Sequence, residues 1–544
     1  MSGNLGAVAS DANSALRSRV AVRPEAAAGS LATAAADLLL IPCCEGESTL
    51  PGDARPLSKA LAPLLADRAE RGEFTGKANQ LSLADSHGTA EAKRLLLVGL
   101  GKRAAVTAET VRQAMGKAAG MIKTLGVTQV AVPLFGPVLG KLTPAAAVQA
   151  QAEGLLLGLY DFNLYKTEAK PPVKTLSRVT WVIKDRRQLP AIQAGLERAS
   201  IIADAAMLAR DLGNHPSNVA TPSTIAELAR SLAAELKLRC TIMERVEMER
   251  LGMWALVGVA RGSQEPPKLI MLEYKGGRAD DPPIALVGKT ITFDTGGISL
   301  KPSENMEQMK DDMSGGAAVL AAIQAVARLK LPVNVTGFLP ATENMPSGTA
   351  QKPGDIVKTL SGLTIEVINT DAEGRLILAD ALTYAARLKP KWLIDIATLT
   401  GACGVALGKH AIGLLGTSPE LVSALKAAGE ATGERTWEMP LWEPYYDQIK
   451  SNVADVQNVG GRYGGVITAG AFLSKFVGEA PWAHLDIAST AWIDEPRPYT
   501  PKGVTGVGVR LLIEFLSRQG GGKTAPRSGR RVRPAKSRPV RARR

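Results

Sequence analysis

Residues 284–301 read IALVGKTITFDTGGISLK, and residues 364–382 read TIEVINTDAEGRLILADAL. Each begins as a short run of apolar and β-branched residues, as a strand buried on both faces should, and each ends in charged residues and glycine. After the charged turn of the second comes GRLILADALTYAARLK, and after the first comes GGAAVLAAIQAVARLK (315–330), both of helical spacing and length. NVTGFLP (334–340) and WLIDIA (392–397) repeat the strand pattern between and beyond these helices. Strands alternating with helices imply a mainly parallel sheet covered on both sides. The groups that do chemistry in such a sheet gather beyond the carboxyl ends of its strands.

The same alternation runs through the first part of the chain. LLLIP (38–42), RLLLVGL (94–100), QVAVPLF (129–135) and TLSRVTWVIKD (175–185) read as strands, and TAETVRQAMGKAAGMIKTLG (107–126) as an amphipathic helix. At 544 residues the chain exceeds what one hydrophobic core organises. The expected fold class is therefore α/β with two domains, each a mainly parallel or mixed sheet flanked by helices. A flexible segment over 1–30 precedes an N-terminal domain over 31–187, a helical stretch near 190–212 opens the C-terminal catalytic domain over 188–518, and a basic disordered tail fills 519–544.

Composition removes several function classes. Aromatic residues make up 4% of the chain, too few for a base-stacking platform. No apolar run reaches the roughly 20 residues that cross a bilayer, so no membrane role is expected. The amino terminus lacks an apolar signal core, which predicts a cytoplasmic protein, with Arg17, Arg19 and Arg23 leaving a transit peptide as the alternative. Cys43, Cys44, Cys240 and Cys403 have no metal or disulfide spacing and read as small buried hydrophobes. The net charge of +13 is concentrated at the end: residues 520–544 carry ten Lys and Arg with no acid, leaving +3 on the rest.

The charged turns are where the chemistry lies. Lys289, Asp294 and Lys301 fall in a segment otherwise fit for burial, where unpaired charges would be very costly, so they must pair or hold a metal. Asp311 and Asp312 stand before the 315–330 helix, where capping its amino terminus is the plain alternative. Asp371, Glu373 and Arg375 occupy alternate positions before the next helix. Asp294, Asp312, Asp371 and Glu373 together could clamp two divalent cations through shared carboxylates. An oxygen-rich shell suits Mg or Mn, and Zn where a nitrogen ligand joins. His87, His215, His410 and His484 all lie outside 289–375, so a proton acceptor there must be a carboxylate, a hydroxide or a small anion that Arg375 could hold. A glycosidase using paired carboxylates leaves the lysines and Arg375 without a role.

VGKTITFDTGGISLK, MKDDMSGGAA (309–318), NTDAEGRL (369–376), WLIDIATLTGA (392–402) and TGVGVRLLIEFL (505–516) closely resemble signatures of the leucyl aminopeptidase family of cytosolic metallopeptidases. The resemblance spans roughly 185–517 and is looser before it. It implies a metal-dependent exopeptidase that releases leucine and other apolar residues from the amino ends of short peptides, using two divalent ions per subunit (Mn or Zn, with Mg or Co as alternatives). By position, Lys289, Asp294, Asp312 and Glu373 match the tighter metal site, and Asp294, Asp371 and Glu373 the exchangeable one. Lys301 matches the lysine that stabilises the oxyanion, and Arg375 the arginine that holds a bicarbonate, with Ala372, Gly374 and Leu399 completing the anion pocket. Met309 matches a residue lining the pocket for the first side chain. A homohexamer is implied as well. A nucleic-acid-binding role for the basic tail is the competing reading, because some bacterial relatives of that family also bind DNA; salt-dependent affinity would be its mark.

Overall fold

The computed structural model of the chain describes residues 16, 22–135, 142–167 and 175–520. The basic tail beyond Gly520 and nearly all of the first 21 residues lie outside the described residues. Two sheets organise the rest. The first has six strands: β1 (Arg23–Ala28), β2 (Leu38–Cys43), β3 (Leu81–Asp85), β4 (Arg94–Gly99), β5 (Gln129–Pro133) and β6 (Arg178–Ile183), in the order β1-β6-β5-β2-β4-β3. All neighbours run parallel except β3, which closes one edge antiparallel to β4. Every residue of β2 is buried, because helices and loops cover both faces of the sheet, as its unbroken apolar run requires.

Arg23–Ala28 departs from the expectation of a loose terminus. The segment is an edge strand in parallel register with β6, from Arg23 opposite Arg178 to Ala28 opposite Ile183. Its alanines have little strand propensity, and the ladder to β6 supplies what the sequence pattern does not show. Thr180 Oγ1 also donates to Glu25 Oε1 across the pair at 2.8 Å.

A helix of 26 residues, Leu189–Asn214, leads from the first sheet to the second. The nine strands there include β7 (Arg239–Glu244), β8 (Lys268–Lys275), β9 (Ile284–Gly288), β10 (Thr290–Asp294) and β11 (Asn334–Asn344). Next in the chain come two strands outside this sheet, β12 (Ile356–Lys358) and β13 (Thr364–Glu366), followed by β14 (Trp392–Ala397), β15 (Ile412–Gly416) and β16 (Thr436–Glu438) within it. β17 (Val456–Gln457) again lies outside, and β18 (Trp482–Asp486) completes the set. The order is β16-β15-β18-β14-β9-β11-β8-β7, with β10 continuing the β9 segment alongside β11. Its centre, β18-β14-β9-β11, is parallel, and antiparallel strands flank it.

The Ser314–Arg328 helix and the closing Val509–Gln519 helix share one core with Leu189–Asn214, and the Glu373–Ala386 helix belongs to the core of the opposite face. TIEVI corrects the sequence expectation. Only Thr364–Glu366 is extended, and it joins a separate three-stranded sheet between β12 and β17. Ile365 is buried there while Thr364 and Glu366 are half-buried, so the segment has one covered face and could not sit in the double-covered centre.

Candidate metal centre

Three stretches of chain converge at the carboxyl ends of the central strands. β9 ends at Gly288 and delivers Lys289, with 3% of its surface exposed; β10 ends at Asp294, 2% exposed. Gly296 (φ +87°) and Gly297 (φ +66°) then turn the chain through the left-handed region, where a Cβ would also meet Ser299 O and Asn344 Oδ1, and this turn brings Lys301 back over Asp294. A 3₁₀ helix over Met306–Asp311 presents Asp312 just before the Ser314–Arg328 helix. From the other side, Asp371 precedes the Glu373–Ala386 helix, whose first residue is Glu373.

The contacts are short and charged. Lys289 Nζ lies 2.8 Å from Asp312 Oδ2 and 2.8 Å from Glu373 Oε1, and donates to Thr398 O at 2.9 Å. Lys301 Nζ is 2.9 Å from Asp294 Oδ2 and also pairs with Asp371 Oδ1. Asp294, Asp371 and Glu373 each place a carboxylate oxygen within 4.8 Å of the others. Gly374 is the residue that lets Lys289 pass, since a Cβ there would fall 2.6 Å from Lys289 Cε.

Four carboxylates around two lysines leave an excess of buried negative charge. Burial pushes Asp312, Asp371 and Glu373 above the ordinary carboxylate range; Asp294 pushes Asp371 and Glu373 up further, against the pull of the lysines. Burial pulls Lys289 down, but Asp312, Glu373 and Asp294 outweigh it and hold the ammonium above its usual range. Lys301 is held up likewise, burial being outweighed by Asp294 and Asp371. Divalent cations would relieve the repulsion among the carboxylates, and a lysine could ligate only after giving up its proton. The donor set fits such ions.

Arg375, the third residue of the same helix, is buried and driven down to about 10 by that burial. Its Nη1 donates to Asn458 O at 2.6 Å, while its Nε is buried without an acceptor. A buried guanidinium with an unsatisfied donor could accept a small anion. Of the remaining residues expected around that anion, Ala372 is the cap of the helix, with its N–H directed to Asn369 O at 3.2 Å. Leu399 donates its N–H to Asp486 Oδ1 at 3.3 Å. Met309 is half-buried on the 3₁₀ helix, one turn before Asp312.

Sequence reasoning did not find Asn344, which closes β11 in register with Asp294. Its Nδ2 donates to Asp294 Oδ1 at 2.7 Å and to Thr370 O at 3.1 Å, so one amide ties the two acidic stretches together. Following NVTGFLP four residues further, to the carboxyl end of its strand, would have reached it. Asn458, which holds Arg375, gave no such signal.

A profile described as "Cytosol aminopeptidase family, catalytic domain" matches residues 207–513, and one described as "Cytosol aminopeptidase family, N-terminal domain" matches residues 40–169. A probable cytosol aminopeptidase of Geotalea uraniireducens is 51% identical over 461 residues, covering 85% of this chain and 92% of that one. Its counterpart in Geobacter sulfurreducens is 48% identical, covering 88% and 96%. Among solved structures, the bottromycin maturation enzyme BotP in complex with Mn superposes with a TM-score of 0.79 at 36% identity, covering 89% of this chain and all of BotP. A mutant of tomato leucine aminopeptidase gives 0.81 at 34%, covering 92% and 98%. With both of its domains matched and relatives alike over nearly their full length, the chain belongs to the cytosol aminopeptidase family, metallopeptidases that hydrolyse peptides from the amino end.

Proposed function

We propose that this aminopeptidase releases leucine and other apolar residues from short peptides with the help of two divalent cations. Lys289, Asp294, Asp312 and Glu373 would hold one, and Asp294, Asp371 and Glu373 the other, with Asp294 and Glu373 shared. The observation that carries this reading is the convergence of Asp294, Asp371 and Glu373 within 4.8 Å of one another, with Lys289 joining Asp312 to Glu373. Manganese is the first candidate, being the ion named with BotP. When bound, such a pair supplies Lewis acidity and an activated water.

The chain's own residues do the rest. Lys301, about a fifth exposed, is the cation able to reach a scissile carbonyl and donate to the oxygen as negative charge develops on it. Arg375 would hold a bicarbonate, which would offer a proton acceptor. Met309, on the wall beside Asp312, would meet the first side chain of the substrate. The assembly is expected to be a homohexamer of the cytoplasm, which sedimentation velocity would show as a particle of six times the chain mass.

The test is hydrolysis of leucine amide and Leu-Gly by metal-stripped protein reloaded separately with Mn, Zn, Mg and Co. Free leucine should appear only after reloading, and blocking the substrate's amino group should abolish it. Release without metal, or from the blocked substrate, would refute the reading.

A further inference from the structure

Asn458 stands one residue beyond β17 and exposes none of its surface. An asparagine amide has two donor hydrogens and a carbonyl that accepts twice. All of that capacity is directed at one segment. Oδ1 accepts from the N–H of Ile368 at 2.8 Å and of Asn369 at 3.3 Å, and Nδ2 donates to the carbonyls of Asn369 at 2.7 Å and Ala372 at 3.4 Å. The main chain of Asn458 continues the pattern: its N–H donates to Glu366 O at 3.0 Å, and its carbonyl takes the 2.6 Å bond from Arg375 Nη1.

The segment so held runs from the end of β13 to the start of the Glu373–Ala386 helix and has no regular ladder of its own. It carries Asp371 near its end and leads to Arg375 in the first turn of the helix. Lys289 and Asp312 stand on other stretches, which the Asn458 side chain does not reach through any hydrogen bond in the described residues. The Asn458 contacts therefore bear on the stretch that carries Asp371 and leads into the shared ligand Glu373, whereas Lys289 and Asp312 are framed by β9 and the 3₁₀ helix.

We propose that Asn458 is a positioning residue for the second cation site, fixing at once the carboxylate of Asp371 and the guanidinium of Arg375; this rests on the two-cation reading above. Loss of its side chain would strand the N–H of Ile368 and take two carbonyl contacts from the 369–372 turn, leaving it tied at Thr370 by Asn344, Ser299 and Gly296, while Lys289 and Asp312 keep their supports.

Asn458→Ala and Asn458→Asp test this. The aspartate has the same shape and still accepts from Ile368 and Asn369, but it turns an oxygen toward two carbonyls. Metal-stripped wild-type and variant proteins are titrated with MnCl2 by calorimetry, and kcat and KM for leucine amide are measured at saturating Mn. The expected result is a tighter Mn site unchanged to within about threefold, a weaker site losing on the order of tenfold or more, and kcat falling with little change in KM, in both variants. Far-UV circular dichroism should match the wild type. Equal weakening of both sites, an unchanged weaker site, or failure of both variants to fold would overturn the proposal and make Asn458 a residue of general structure. If the wild type itself bound fewer than two Mn or left leucine amide intact, the underlying reading would fall instead.

Discussion

Lys301 and Asp371 meet as a pair over Asp294, and the two have different work to do. Lys301→Ala removes a donor to the developing oxyanion and Asp371→Ala removes a cation ligand, so each should lower kcat by roughly 10²–10³-fold. Unchanged circular dichroism would separate this from unfolding, and wild-type rates in either variant would refute the roles. Gly374→Ala is a steric test of the same centre. Its new Cβ would stand 2.6 Å from Lys289 Cε and displace that side chain, so metal affinity should fall on the order of 10–100-fold, measurable by Mn titration. Lys289, Asp294 and Lys301 stood out in the sequence because charge inside an apolar run demands a reason, although the ligand role of Lys289 came only from the family resemblance. The choice of Asp312 over Asp311 came from the family resemblance, and both side chains are buried. Asn344 and Asn458 stayed hidden because a neutral amide carries no such signal, and its bonds depend on chain segments brought together only by folding.

Among the elements, β14 and β18 carry a buried pair. Asp395 and His484 face each other in register, with Asp395 Oδ1 2.6 Å from His484 Nδ1 and Asp395 Oδ2 accepting from Trp482 Nε1 at 2.7 Å. Burial draws the imidazole down, but Asp395 outweighs it and raises His484 above its ordinary value. The charged pair's contribution to stability is therefore full below the unfolded value of about 6.5 and is lost as pH rises through the higher folded one. Asp395→Ala should cost about 3–5 kcal/mol, since it strands a buried imidazole and indole N–H. Denaturant unfolding at pH 6 and at pH 9 should show the smaller difference at the higher pH, and equal differences would argue against a charged pair. The strands of the parallel centre could be read from their apolar runs. β1 and TIEVI could not be, because partner strands decide whether an alanine-rich or half-polar segment is extended, and in which sheet.

Across the whole molecule, the two sheets are joined by a buried charge network. Arg510 Nε lies 3.2 Å from Glu434 Oε1, and its Nη2 is 3.3 Å from Tyr499 Oη, which donates to Glu109 Oε1 at 2.8 Å in the first domain. Arg112 of that domain pairs with Glu153 at 2.7 Å and reaches back to Ala431 O at 3.2 Å. Removing one member leaves its partners charged and dry, so Arg510→Ala should destabilise the protein by about 3–5 kcal/mol. A change below 1 kcal/mol in urea unfolding would show that the apolar contacts alone hold the domains together. The two-domain α/β plan was visible in the alternation of strands and helices, but this joint was not, as its members are spread from Glu109 to Arg510. The central claim concerns what the carboxyl ends of β9 and β10 hold, and anomalous diffraction from crystals soaked in MnCl2 tests it most directly. Two peaks are predicted, both touching Asp294 and Glu373, one also touching Lys289 and Asp312 and the other Asp371. A single peak, or density away from these five residues, would contradict the account.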